Sequence, residues 1–130
     1  MKFHHFGCLV SNIESAKVAY LNMMENSIAS EVYDISSQNV KVCFINLPNS
    51  NSFIELVEPT DKVSTLNRLL NKGTNFYHMG FYVNDIEKKI EELQKTSYKL
   101  VNLFNSEAFN NKKCAFLYSP LLHLIELIEQ

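Results

Sequence analysis

The sequence predicts an α+β protein made of two βαβββ modules within one domain that covers residues 1–130. First, the stretch "HFGCLVSNIE" beginning at His5 recurs as "HMGFYVNDIE" beginning at His78. Second, "IELVE" beginning at Ile54 recurs as "IELIE" beginning at Ile125. Third, both matches are separated by nearly the same length of chain, about 70 residues, as expected for an internal duplication.

The first module spans about residues 1–58 and follows the order of one strand, one helix and three strands. Phe3–Val10 has a β-type composition, and Ser11 with Glu14 three residues later fits a capping box at a helix start. Three further segments are rich in β-branched and aromatic residues and predict strands, namely Glu31–Ile35, Val40–Leu47 and Phe53–Val57.

A linking helix is predicted between the modules, in about residues 59–73. Val63, Leu66 and Leu70 have helical spacing, and Gly73 is a typical residue for the end of a helix.

The second module, about residues 74–130, repeats the order of the first. A strand is predicted at Phe76–Val83, followed by a helix that starts near Asn84 and has an apolar stripe. The stripe consists of Ile86, Ile90 and Leu93. The remaining predicted strands are Tyr98–Phe104, Lys113–Tyr118 and Leu122–Ile128. Asparagine and proline, more than glycine, supply the turn residues of both modules.

Composition and charge exclude several classes of function. The net charge is −2 with no basic stripe, which argues against a nucleic-acid partner. There is no signal-peptide pattern and no apolar run long enough to span a bilayer, so no membrane partner is expected. The three cysteines, Cys8, Cys43 and Cys114, form an odd and widely spaced set within strand-like runs. They are expected to be buried thiols of a cytoplasmic protein.

Two histidines and two glutamates occupy equivalent places in the repeat and are the candidate metal ligands. His5 and His78 begin the first strand of each module, and Glu55 and Glu126 lie in the last. Side chains alternate along a strand, so each glutamate in Ile-Glu-Leu points to the opposite face of the strand from its two apolar neighbours. A charge at an inward position needs compensation. Two carboxylates and two imidazoles around one cation would provide it, and such donors suit Zn, Ni, Co, Mn or Mg.

Taken singly, each of these four residues fits an ordinary structural role, and their symmetric pairing is what favours a metal site. His4 and His123 have no partner in the repeat and are interpreted as surface or edge histidines. The strand aromatics are interpreted as core or cleft lining. They are Phe44, Phe53, Phe76, Phe81, Tyr82, Phe104 and Phe116.

The chain resembles the vicinal oxygen chelate superfamily, which includes glyoxalase I, methylmalonyl-CoA epimerase, extradiol dioxygenases and bleomycin-resistance proteins. The likeness rests on "HFGCLVSNIESA", "IELVEP", "LNRLLNKGTNFYHMGFYVNDIE" and "KKCAFLYSP" with "LIELIEQ", and the epimerase branch looks the most similar. The resemblance implies a curved mixed sheet around a metal-binding cleft. It also implies His5, Glu55, His78 and Glu126 as ligands, a proton-transfer role for Glu126, and a homodimer.

Three positions depart from the epimerase pattern. Ser37 stands where that branch has a glutamate that looks like the proton-transfer base, and Tyr118 stands where it has a histidine. Asn110 and Asn111 replace glycines before the penultimate strand. These departures predict a metal-binding member whose substrate differs from methylmalonyl-CoA.

The resemblance implies a metal-dependent isomerase or lyase that transfers a proton next to a carbonyl, similar to methylmalonyl-CoA epimerase. Its substrate would be an acyl-CoA or a 2-oxo/thiol adduct. Two alternatives remain, lactoylglutathione lyase (glyoxalase I) and a non-catalytic protein that binds a small molecule such as an antibiotic. A third, an iron dioxygenase with three protein ligands, is disfavoured by a fourth ligand at Glu55.

Overall fold

The strands and helices occur in the predicted order in both halves of the chain. The computed structural model describes residues 1–130, which divide into two units. The first unit is His5–Tyr77, and the second combines Met1–His4 with His78–Gln130. Each contains the βαβββ succession that the repeat predicts, so the α+β class is confirmed.

In the first unit, a four-stranded sheet lies beside one long helix. Its hydrogen-bonded strand order is β2-β3-β4-β1, with β1 parallel to β4 and the other neighbours antiparallel. The elements are β1 (Lys2–Leu9), whose residues before His5 belong to the second unit, α1 (Ile13–Met23), β2 (Tyr33–Ile35), a 3-10 turn (Ser36–Gln38), β3 (Val40–Asn46), β4 (Phe53–Pro59) and α2 (Thr65–Asn71).

The second unit repeats this topology. Its strand order is β5-β8-β7-β6, with β5 parallel to β8 and the other neighbours antiparallel. The elements are β5 (Phe76–Val83), α3 (Ile86–Gln94), β6 (Lys99–Ser106), a 3-10 turn (Glu107–Phe109), β7 (Lys112–Ser119) and β8 (His123–Glu129).

Both long helices begin one residue later than the sequence predicts. The N-cap of α1 is Asn12 rather than Ser11, and its side-chain oxygen accepts a hydrogen bond from the Ser15 amide at 2.9 Å. The N-cap of α3 is Asp85, which accepts from the Lys88 amide at 3.0 Å. The predicted capping box at Ser11 is therefore wrong, because the neighbouring asparagine takes the capping position.

The second glutamate of the repeated stretches "IELVE" and "IELIE" binds the start of the helix in each module. Glu58 Oε1 accepts a hydrogen bond from the Ile13 amide at 2.8 Å. Glu129 Oε1 accepts from the Ile86 amide at 3.4 Å. The first amides of a helix have no partner within it, so these carboxylates satisfy donors that would otherwise be orphaned. The repeat thus preserves a link between the last strand and the helix of each module.

One face of each sheet packs against its own helix. In the first unit, the buried core under α1 consists of Ile13, Cys43, Ile45 and Leu56. In the second unit, the core under α3 consists of Val83, Ile86, Ile90, Tyr98, Ala115, Leu117, Ile125 and Leu127. The candidate ligands Glu55 and Glu126 alternate with these residues along the strands and so belong to the opposite face.

The linking helix ends at the predicted glycine but begins later than its apolar spacing indicates. Gly73 has a φ of +83°, a conformation that favours glycine, and its amide donates to the Leu70 carbonyl at 2.9 Å. Val63 precedes the helix and is 78% exposed, so it is not part of an apolar helical stripe. None of the helices has the length and apolarity needed to cross a membrane.

Candidate metal centre

The first half of the candidate site pairs His5 on β1 with Glu55 on β4. The two strands are parallel, and their register places Gly7 directly opposite Glu55. His5 and Gly7 share a face of β1, and glycine has no side chain, so the Glu55 carboxylate can reach back to the imidazole. His5 Nε2 lies 3.5 Å from Glu55 Oε2, and both side chains are buried.

The second half repeats this arrangement with His78 on β5 and Glu126 on β8. Gly80 lies opposite Glu126 in the parallel register, as Gly7 does opposite Glu55. His78 Nε2 lies 3.3 Å from Glu126 Oε2, and both side chains are again buried. The duplicated His-x-Gly and Ile-Glu-Leu stretches therefore build the same local pair in each unit.

The chemistry of this donor set fits a divalent cation. Burying a carboxylate is unfavourable by several kcal/mol unless charge or hydrogen bonds compensate it. Each of the buried residues His5, Glu55, His78 and Glu126 offers a nitrogen or oxygen atom that can serve as a metal ligand. Imidazole nitrogens and carboxylate oxygens without thiolate are typical donors for Zn, Ni, Co and Mn, and carboxylates suit Mg.

Two phenylalanines complete the surroundings of the pairs. Phe44 on β3 lies opposite Glu55 on the side away from Gly7, and Phe116 on β7 lies opposite Glu126. The Phe44 and His5 ring centroids are 5.7 Å apart at an interplanar angle of 75°, and those of Phe116 and His78 are 5.2 Å apart at 82°. The sequence placed both rings among core or cleft residues, and their pairing with the histidines follows only from the strand register.

His4 does not match its interpretation as a surface or edge residue. It is only 8% exposed, and its ring contacts Tyr82 and Phe109, with centroids 4.7 and 5.5 Å away. Both partners are distant in sequence, which explains why local patterning does not reveal the burial of His4. His123 is exposed at the start of β8, so its surface interpretation is confirmed.

The residues that depart from the epimerase pattern lie at exposed positions. Ser37 is in the exposed 3-10 turn before β3, and the Tyr118 side chain is 47% exposed on β7. Asn110 and Asn111 both adopt positive φ values, 54° and 59°, in the turn between the 3-10 turn and β7. Asparagine tolerates this conformation, so it fulfils a turn role that glycine often has.

The cysteines are not part of the candidate site. None forms a disulfide; Cys43 and Cys114 are buried, and Cys8 is half-buried. Burial raises the pKa of the Cys8 thiol, against the smaller opposing effect of a hydrogen bond with the Tyr20 hydroxyl. Burial also raises the pKa of Cys43, against a hydrogen bond with Ser30. Both thiols are thereby kept protonated and unreactive at neutral pH.

Comparison of the sequence with models of known protein families identifies the family of this chain. The sequence model of the glyoxalase/bleomycin resistance protein/dioxygenase superfamily matches residues 4–116. The chain belongs to this superfamily. The matched region contains three of the four candidate ligands and ends before Glu126. The comparison with curated protein sequences gave no match.

Solved structures of other proteins have the same fold. A hypothetical protein from Bacillus halodurans is 26% identical, with a TM-score of 0.85 over 99% of this chain and 94% of that one. Methylmalonyl-CoA epimerase from Mycobacterium tuberculosis is 22% identical, with a TM-score of 0.86 over 98% of this chain and 87% of that one. A variant of the Streptomyces coelicolor epimerase in complex with 2-nitronate-propionyl-CoA is 16% identical, with a TM-score of 0.82 over 100% and 97%.

Proposed function

We propose that the protein is a metal-dependent isomerase or lyase that transfers a proton next to a carbonyl group, as methylmalonyl-CoA epimerase does. The observation that carries this proposal is the duplicated buried pair, His5 with Glu55 and His78 with Glu126. In the proposed site these four side chains bind one divalent cation. Membership of the superfamily and the fold shared with epimerases support the same reaction class.

A bound divalent cation would act as a Lewis acid toward the substrate carbonyl and so make the adjacent C–H more acidic. The four side chains supply a fixed, buried set of donors whose geometry is set by two parallel strand pairs. Gly7 and Gly80, which lie opposite the glutamates, have no side chain that would compete for the space beside the carboxylates. The aromatic rings of Phe44 and Phe116 limit the access of water to the pairs, which strengthens electrostatic interactions there.

Glu126 is the residue that we assign to proton transfer. It is a buried carboxylate at the centre of β8. A carboxylate that is released from a cation can accept a proton from the substrate and return it. Ser37 stands where epimerases have their glutamate, and a lone serine hydroxyl is too weak a base for this step. The proposal therefore gives this chain a single acid–base residue, Glu126.

The substrate proposed is a small acyl thioester or a 2-oxo/thiol adduct. Epimerase structures bind acyl-CoA analogues, which favours the thioester. The exposed, largely apolar segment at Tyr118 and Leu121 differs from the epimerase pattern and argues for an acyl-CoA other than methylmalonyl-CoA. A cytoplasmic homodimer is part of the same proposal, and the absence of disulfides supports the reducing compartment.

The decisive assay follows exchange of the substrate α-proton in heavy water by NMR, with methylmalonyl-CoA, other short acyl-CoAs and a glutathione hemithioacetal as separate substrates. Exchange with an acyl-CoA is expected, and it falls by about 100-fold or more in Glu126→Gln, because the acid–base group is removed at nearly constant volume. Glu129→Gln is the matched control, since Glu129 lies in the same strand but binds the start of α3.

The other outcomes of this assay separate the alternatives. Turnover of the hemithioacetal alone would replace the epimerase-like activity with that of lactoylglutathione lyase. Binding of a small molecule without exchange of any substrate would favour a non-catalytic binding protein, for which the aromatic residues around the pairs already provide apolar surface. Exchange retained in full by Glu126→Gln would contradict the role of that carboxylate.

A further inference from the structure

Each histidine of the two pairs packs against a phenylalanine at an equivalent place in the repeat. Phe44 and Phe116 are both 8% exposed and meet His5 and His78 nearly edge to face. Behind each lies a second ring. Phe53 contacts Phe44 with centroids 6.1 Å apart, and Phe104 stacks on Phe116 at 5.5 Å and 19°. The duplication therefore preserves an aromatic support as well as the charged pair.

The strand register places each of these phenylalanines directly beside the glutamate of the pair. In the first unit, Gly7, Glu55 and Phe44 lie side by side across β1, β4 and β3. In the second unit, Gly80, Glu126 and Phe116 lie side by side across β5, β8 and β7. Of the two in-register neighbours of each glutamate, only the phenylalanine has a side chain. Its ring therefore lies beside the carboxylate in the register and also contacts the imidazole of the same pair.

A histidine ligand needs a neighbouring side chain to fix its ring orientation, because rotation about its χ2 bond is weakly restricted. The imidazole can turn within a broad range unless neighbouring atoms fix it. An edge-to-face contact with an aromatic ring favours one orientation, because the ring has a negative face and a positive edge. In both units the orientation observed directs Nε2 toward the glutamate of the same pair.

We propose that Phe44 and Phe116 are positioning residues that hold the imidazoles of His5 and His78 in the orientation required for cation binding. This inference rests on the proposed function, since it concerns the same cation site. It adds that the affinity of the site depends on two residues that have no donor atom of their own. Phe104 supports the Phe116 ring from β6 and serves as the internal control, whereas Phe53 lies directly opposite His5 in the strand register and belongs to the surroundings of that histidine.

The first test measures the affinity of the full chain for Co²⁺ by competition with a chromophoric chelator. Phe116→Leu and Phe44→Leu are expected to weaken Co²⁺ binding by about tenfold, the low end of the effect of losing a group that orients a metal ligand. They should also alter the visible absorption of the bound Co²⁺, which reports ligand geometry. Phe104→Leu, the matched control, removes a ring of the same size and is expected to leave affinity and absorption unchanged.

The second test uses the metal-free protein and so does not depend on cation binding. The imidazole resonances of His78 are expected to shift and broaden in Phe116→Leu and to remain as in the wild type in Phe104→Leu. Phe116→Met, whose flexible unbranched side chain fills irregular gaps and lacks a ring, covers the case in which the leucine variant does not fold.

The outcomes separate the two claims. Wild-type protein that binds no Co²⁺ would contradict the proposed function and the positioning role together. Wild-type binding with equal affinities in Phe116→Leu and Phe104→Leu would contradict the positioning role alone. Identical His78 resonances in those two variants would contradict it as well.

Discussion

At the scale of single residues, the glutamates of β4 and β8 have two different roles. Glu55 and Glu126 are buried beside imidazoles, whereas Glu58 and Glu129, three residues further along the same strands, bind the amides of helix starts. The sequence identified the first kind from the repeat, since a duplicated inward carboxylate is unusual. It did not identify the second, because a helix-capping role depends on where the strand ends relative to the helix.

The thiols offer a prediction at the same scale. Because burial raises the pKa of Cys8 and Cys43, their thiolate fraction in the native protein is lower than in the unfolded chain at any given pH. Alkylation by iodoacetamide at neutral pH is therefore expected to be much slower in native than in urea-unfolded protein, and to accelerate as the pH is raised. Mass spectrometry of the peptides that contain each cysteine provides the measurement.

The same shift has a defined effect on stability. A thiol with a raised folded-state pKa stabilises the native protein below the unfolded pKa, and this contribution is lost as the pH rises through the folded value.

Rapid native-state alkylation of Cys43 at neutral pH would contradict its burial. His4 illustrates the limit of residue-scale prediction, because its burial depends on Tyr82 and Phe109, which the sequence places far away.

At the scale of secondary-structure elements, the duplication explains most of what the sequence predicts correctly. All eight strands and all three α-helices were expected from periodicity and turn residues. The helix starts were misplaced by one residue because Ser11 and Asn12 are both good capping residues and sequence alone does not choose between them. The register of β3 on β4, which pairs Phe44 with Glu55, is a further property that local sequence does not specify.

The capping assignment gives a prediction at this scale. Asp85→Ala is expected to lower the free energy of unfolding by about 1 kcal/mol, because the Lys88 amide loses its acceptor. Asn12→Ala should have a similar effect in the first unit through the Ser15 amide. Urea denaturation monitored by circular dichroism measures both. The controls are Asn84→Ala and Ser11→Ala, and larger losses in these controls than in the caps would show that the N-caps are misassigned.

At the scale of the whole molecule, the two units contain the same strand order, the same contact between a glutamate and the helix start, and the same His–Glu pair. A sequence duplication that preserves only the core would have let one of the pairs drift. Both pairs are present, together with their glycines and phenylalanines, and this repetition is the basis of the proposed cation site. The substrate is less predictable from sequence, because it depends on exposed residues such as Ser37 and Tyr118, which have no counterpart in the repeat.

The most direct test of the central claim is the number of divalent ions bound per chain, measured by calorimetric titration of metal-free protein with Co²⁺ or Zn²⁺. One shared site predicts a single ion per chain in the wild type. It also predicts that His5→Ala and His78→Ala each weaken that same binding event, because each removes one donor of the common set. Two independent ions per chain, no ion at all, or unchanged binding in either variant would contradict the account.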